Sequence, residues 1–164
     1  MTVRRYGDAD QDACRALWVE LTQRHRDIYE APEIGGDDPA ASFDSHLAHV
    51  GAENIWVAEE DDRVVGFVGM IPGETDAELE PIVVRTAYRG RGIGQALAET
   101  VVSSAKERGL RQVVVHPVAR NADAIVFFHS RGFNALGQIE LILDLASPDH
   151  WQSGERIAGH DFRV

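Results

Sequence analysis

The chain has 164 residues, a formal net charge of −11 and 44% hydrophobic residues, which suits one domain with an ordinary core. The negative charge disfavours nucleic-acid binding, because no basic surface is available to displace counterions from phosphates, and it mildly favours cationic substrates. No apolar run approaches the roughly 18 residues of a membrane span, and the N-terminus has no signal-peptide core. We therefore predict a cytoplasmic protein that binds neither nucleic acid nor membrane.

The first half of the chain is predicted to contain a short strand, two helices and three further strands. The strand covers residues 3–6, and a capping segment at 8–10 begins a helix whose apolar face holds Cys14, Leu17, Trp18 and Leu21. A second helix starts near residue 38 and turns Phe43, Leu47 and Val50 inward. Strands follow at 55–58, 64–70 and 77–84, the first two of them joined by a turn at 61–62.

The second half is predicted to alternate helices and strands. A helix begins at Ile93 and stops at Gly109, a strand covers 112–115, and a helix covers 121–131. A last strand is predicted from four alternating apolar residues, Ile139, Leu141, Leu143 and Leu145. We predict one domain at 1–146 and a C-terminal tail at 147–164 that packs on the core or on a second subunit. A homodimer is compatible with this sequence and is not specified by it.

Three alternate glycines and two arginines lie where the strand at 77–84 gives way to the following helix. Glycines 90, 92 and 94 allow a tight turn and close backbone approach by a ligand, and the helix N-terminus favours a phosphate group. A Walker-type loop would need Lys and then Ser or Thr after the last glycine, where this chain has Gln95 and Ala96. A dinucleotide fingerprint would need an acid closing the next strand, and that strand ends in His116 and Pro117. Both nucleotide families are therefore disfavoured.

Two sequence blocks resemble the signatures of the GNAT acyltransferase superfamily. The first is Arg89-x-x-Gly92-x-Gly94, which is similar to the family's acyl-CoA loop, Gln/Arg-x-x-Gly-x-Gly/Ala. The second, residues 121–133, resembles Asn-x-x-Ala-Ile-x-Phe-Tyr-x-x-x-Gly-Phe at the usual distance after the loop. Together with the order of elements, the resemblance covers residues 2–146.

This resemblance implies both a fold and an acyl donor. The fold is α/β, with a mixed, mostly antiparallel central sheet of six to seven strands, four flanking helices, and two splayed strands that form the acyl-CoA cleft. The donor is acetyl-CoA, with no metal. The residues implied to bind it are Ile82, Val83, Val84, Arg89, Gly90, Arg91, Gly92, Ile93, Gly94, Gln95, Asn121 and Phe128.

Three residues are candidates for the base that deprotonates an attacking amine. Glu78 lies eleven residues before Arg89, where histone-type members of the superfamily place a glutamate base, and Glu80 shares its strand parity. His116 lies five residues before Asn121, where the resemblance to ribosomal-protein N-terminal acetyltransferases places their glutamate base. The structural alternatives are a solvent-facing strand edge for the glutamates and a backbone-bonded strand end for the histidine.

The second block departs from the family pattern at Phe128. The family has a tyrosine there, whose hydroxyl commonly protonates or hydrogen-bonds the CoA sulfur, and a phenylalanine ring has no such donor. Water, His116 or His129 could replace it, or the change could mark a loss of catalysis. The leading hypothesis is an acetyl-CoA-dependent N-acetyltransferase acting on a primary amine of a small molecule or a peptide N-terminus. The alternatives are a non-catalytic acyl-CoA-binding module or sensor, and a nucleotide-binding domain unrelated to GNATs.

His46 and His49 are three residues apart on the second predicted helix. No third ligand is evident, so a surface pair is favoured over a metal site.

Overall fold

The computed structural model describes residues 1–145 and 151–164 of the chain. These residues group into two compact units, Met1–His116 and Pro117–Val164. The predicted boundary between a domain at 1–146 and a tail at 147–164 falls on residues outside the described ranges, so it stays a prediction. Within the described ranges, no helix has the length and apolar character needed to cross a membrane.

The first unit contains five strands and three helices in the predicted order. They are β1 (Thr2–Arg5), α1 (Gln11–Tyr29), α2 (Ala41–Val50), β2 (Ile55–Glu60), β3 (Arg63–Pro72), β4 (Asp76–Val84), α3 (Ile93–Glu107) and β5 (Gln112–Val114). The strands form one sheet in the order β1-β2-β3-β4-β5. Every neighbouring pair is antiparallel except β4 and β5, which are parallel. The fold is therefore mixed α/β with a mostly antiparallel sheet.

Helices cover both faces of this sheet. On one face Phe67 lies 5.5 Å from Phe43 of α2 and 6.2 Å from Trp18 of α1, measured between ring centroids. On the other face α3 approaches β3 so closely that a Cβ atom at Gly66 would lie 3.3 Å from Leu97. Since adjacent strand residues point to opposite faces, Phe67 and Gly66 mark the two sides. Leu97 is fully buried, which stabilises the fold by about 1.5–3 kcal/mol.

The second unit contains α4 (Ala122–His129) and a two-stranded sheet of β6 (Ser153–Ile157) and β7 (His160–Arg163). Ala158 and Gly159 connect the two strands, and both have positive φ, 52° and 82°, as a two-residue hairpin turn requires. The strand predicted over 139–145 is wrong, because those residues form no strand. Their apolar side chains are exposed, as in Leu143 at 83% and Leu145 at 90%.

The predicted count of six to seven strands in the central sheet also needs correction. The described residues give five strands in that sheet and two in the separate hairpin sheet. Alternation of apolar residues indicates which face of a strand can be buried, but it does not supply the neighbouring strand whose hydrogen bonds hold it.

Candidate active site

The segment between β4 and α3 turns at two glycines. Gly90 and Gly92 have φ values of 75° and 83°, in the left-handed region that favours glycine. A Cβ atom at either position would have no heavy atom within 4 Å, so this side of the backbone is open. α3 begins directly afterwards at Ile93, and the N–H groups of its first turn have no helical carbonyl to bond. This geometry suits the binding of an anion, and the binding of CoA by this loop stays a prediction.

Both arginines of the loop contact nearby groups. Arg89 donates from Nε to the carbonyl oxygen of Val84 at 3.0 Å, which uses one of its five N–H donors. Arg91 donates to the carbonyl oxygen of Ala87 at 3.3 Å, and its guanidinium lies 4.9 Å from the ring centroid of Tyr88. These backbone oxygens carry no formal charge, so the hydrogen bonds to them do not neutralise the two arginines. Arg91 has one acid nearby, Glu60, at the long distance of 3.9 Å.

One edge of β4 is free beyond its first three residues. β5 pairs with β4 only from Asp76↔Gln112 to Glu78↔Val114. On its other side β4 stays paired with β3 as far as Gly66↔Val84. In the part of the chain that the structure describes, no strand pairs with this edge of β4 between Glu80 and Val84. An extended ligand could pair with the backbone there as an added strand does.

Glu78 and His116, two of the candidate bases, contact each other at the end of this paired stretch. Glu78 stands opposite Val114 of β5, and His116 follows two residues later. Nδ1 of His116 bonds Oε1 of Glu78. The Glu78 side chain is 29% exposed and that of His116 63%, so the pair is open to a solute. A carboxylate on Nδ1 orients the imidazole and leaves Nε2 free to exchange a proton.

Glu80 lies at a β-bulge in the same strand. Val68 of β3 stands opposite Ile82, but Met70 stands opposite Leu79, so β4 carries one extra residue between these pairs. Bulges of this kind redirect side chains and are common beside active sites. Glu80 is an exposed residue of β4, and partial desolvation of its carboxylate raises its pKa. The Glu78 carboxylate raises the pKa further, and His116 and His49 act in the opposite direction. All three candidate bases therefore belong to one electrostatic cluster.

His46 of α2 packs against this bulge. A Cβ atom at Gly69 would lie 2.7 Å from its Nε2 atom and would also clash with the carbonyl oxygen of Glu80. The expectation of a surface pair is wrong for His46, because its Nε2 is buried and its ring lies 5.2 Å from that of Trp18. Burial, with a smaller contribution from His49, lowers the pKa of His46 to about 4. This contact could not be predicted from local sequence patterns, since the bulge that creates it depends on strand register.

Asn121 and Phe128 belong to the second unit. Oδ1 of Asn121 accepts a hydrogen bond from the N–H of Ala124 at 3.2 Å, so Asn121 caps α4 as its side-chain chemistry predicts. Phe128 is buried and packs edge-on against Phe127 and Phe133, with ring centroids 5.0 and 5.4 Å away. A role for either residue toward CoA stays a prediction.

Comparison with known families places the chain among acyltransferases. The model of the acetyltransferase (GNAT) family matches residues 18–133, more than two thirds of the chain. N-acetyltransferase 8B of Rattus norvegicus is 33% identical over 107 residues, which cover 62% of this chain and 48% of that protein. The chain thus spans about half the length of this relative.

Solved structures show the same fold. An acetyltransferase of the GNAT family from Staphylococcus aureus Mu50 superposes with a TM-score of 0.66 at 16% identity, covering 80% of this chain and 82% of that one. Rv2747 from Mycobacterium tuberculosis, solved in complex with CoA and NLQ, gives a TM-score of 0.59 at 24% identity, covering 80% of this chain and 70% of the other.

Proposed function

Because the chain belongs to the GNAT acetyltransferase family, we propose that it transfers an acetyl group from acetyl-CoA to a primary amine of a small molecule or peptide N-terminus. The amine attacks the thioester directly while both substrates are bound. The observation that carries this proposal is the contact of Glu78, on the strand that leads to the glycine loop, with His116, which follows β5.

The distance along β4 from the loop to Glu78 fits an extended donor with a pyrophosphate at one end and a thioester at the other. Val84, at the start of the loop, lies six residues after Glu78, and at about 3.3 Å per residue this stretch spans about 20 Å. A pyrophosphate on the loop would bind to Arg89, Arg91 and the amides of the first turn of α3. The pantetheine arm would then run along the free edge of β4 at 82–84 and bring the thioester toward the Glu78–His116 pair.

The Glu78–His116 pair supplies the proton acceptor. An amine is protonated near neutral pH and becomes nucleophilic only after it loses a proton. In the proposal Nε2 of His116 takes that proton, directly or through one water, while Glu78 holds the ring at Nδ1 and stabilises the imidazolium. The neutral nitrogen attacks the thioester carbon and a C–N bond forms. The nitrogen of the tetrahedral intermediate then loses a second proton to solvent, and the intermediate collapses by breaking the C–S bond. A backbone N–H near Val84 is the candidate donor to the oxyanion.

The departing thiolate needs no tyrosine in this scheme. Phe128 has no proton to give, and a thiol with a pKa near 8.5 leaves readily and is protonated by solvent. Holding the amine and thioester in line makes the larger contribution to lowering the activation barrier, about 7–11 kcal/mol in favourable models.

A second function is favoured by the same residue. The absence of a hydroxyl at Phe128 is what a non-catalytic acyl-CoA-binding module would tolerate. Release of free CoA thiol from acetyl-CoA, measured over a panel of primary amines and N-terminal peptides, separates the two functions. The proposed activity predicts acceptor-dependent thiol release, while CoA binding without turnover on every acceptor would favour the sensor.

A further inference from the structure

The two glutamates on β4 have different surroundings. Glu78 is engaged with His116. The side chain of Glu80, two residues further on, has no hydrogen bond or ion pair within residues 1–145 and 151–164. Other acids in this unit do have arginine partners, such as Asp10 with Arg4 at 2.7 Å and Glu20 with Arg85 at 3.2 Å. Among the described residues, the Glu80 carboxylate is therefore not paired with a cation.

The groups around Glu80 do not compensate for this. Its electrostatic neighbours are one carboxylate, Glu78, and two imidazoles, those of His116 and His49. Glu80 is exposed, and partial desolvation together with the Glu78 carboxylate raises its pKa, so its charged form is less favourable here than in water. The attraction of a cation bound at Glu80 would offset both effects, and a hydrogen bond between an ammonium and a carboxylate is among the stronger kinds.

A second acceptor atom without a donor lies beside the same bulge. Nε2 of His46 is buried and has no hydrogen-bond partner among the described residues. It abuts the Glu80 peptide, since both would clash with a Cβ atom at Gly69. Its low pKa keeps the ring neutral near pH 7, so Nε2 can accept a hydrogen bond in the Nδ1–H tautomer. A buried polar atom without a partner is costly, so a donor that reaches Nε2 would lower the free energy of the site.

We propose that Glu80, at the β4 bulge beside His46, binds a protonated nitrogen of the acceptor other than the one that is acetylated. This inference rests on the proposed function, and it names the acceptor class as amines that carry a second cationic nitrogen. The two glutamates then have separate roles: Glu78 supports His116 in removing a proton, and Glu80 holds a nitrogen that keeps its proton. An ammonium group has three N–H donors, enough for the carboxylate and for an imidazole nitrogen.

The test compares acceptors that differ only at the distal group. Terminal diamines of three to five carbons are titrated by calorimetry into the 164-residue chain saturated with CoA, each against the amino alcohol of the same length. We expect at least one diamine to bind roughly tenfold or more tightly than its amino alcohol, and Glu80→Gln to reduce that ratio to about 1. Glu74→Gln, which removes the same charge from an exposed position before β4, is the matched control and should keep the wild-type ratio.

Binding and turnover separate the two proposals. Equal affinities for every diamine and its amino alcohol, or a ratio that survives Glu80→Gln, would overturn the role of Glu80 even if acetylation proceeds. Selective diamine binding that depends on Glu80, without thiol release from acetyl-CoA, would support the subsite and contradict the proposed acetyl transfer.

Discussion

The glycine loop and the Glu78–His116 pair are built in opposite ways. The loop is a run of consecutive residues, and two positive-φ glycines with the following helix N-terminus set its shape locally. The pair joins residues 38 positions apart, brought together by the parallel register of β4 and β5. A local motif can therefore predict the proposed donor site, whereas the candidate base depends on how strands align. Damage to the loop should impair donor binding, and damage to the pair should impair chemistry.

The largest expected effect is on chemistry. His116→Ala removes the proposed proton acceptor and should lower kcat at neutral pH by about 10²- to 10⁴-fold, with CoA affinity retained. Activity should recover in part at higher pH, because more of the free amine is neutral there. Steady-state rates over a pH series, together with calorimetric CoA binding, measure both properties. An unchanged kcat would mean that catalysis rests on positioning and solvent.

The next effect is on donor binding. Gly92→Val places a branched side chain at φ 83° in the open face of the loop and should weaken CoA binding by about 100-fold or more, since several charge-assisted hydrogen bonds are lost. Gly109→Val is the matched control, because Gly109 has φ 72°, an equally open surrounding, and a position past the other end of α3.

Both glycine variants should lose a similar free energy of unfolding, so a difference in CoA affinity between them reports on the loop itself. Equal CoA affinity in the two variants would remove the loop from the donor site.

The smallest effect concerns the second unit. Asn121→Ala removes the cap of α4 and should lower the free energy of unfolding by about 1 kcal/mol, measured by urea denaturation. Asn121→Ser keeps a capping oxygen and should lose much less. Calorimetric CoA binding to both variants then shows whether this asparagine also contacts the donor. A stability of Asn121→Ala equal to the wild type would contradict the cap.

Features encoded by neighbouring residues could be predicted from the sequence. The glycines at 90 and 92, the turn at 61–62 and the buried face of α3 all follow from local patterns, and the structure confirms each of these conformations. The order of elements in the first unit is also confirmed.

Features that depend on strand partners could not be predicted in this way. The apolar alternation at 139–145 resembles a strand, but none pairs with it, and the hairpin of β6 and β7 forms where no periodicity was visible. The burial of His46 follows from the bulge opposite Gly69, which only the register between β3 and β4 reveals.

The central claim is that Glu78 and His116 act as one catalytic unit. A double-mutant cycle on kcat tests it most directly, with Glu78→Gln, His116→Ala and the double variant assayed on one acceptor at saturating acetyl-CoA. If the residues act together, the double variant should be no more than about threefold slower than the slower single variant. Losses that multiply, or single variants as fast as the wild type, would contradict the claim.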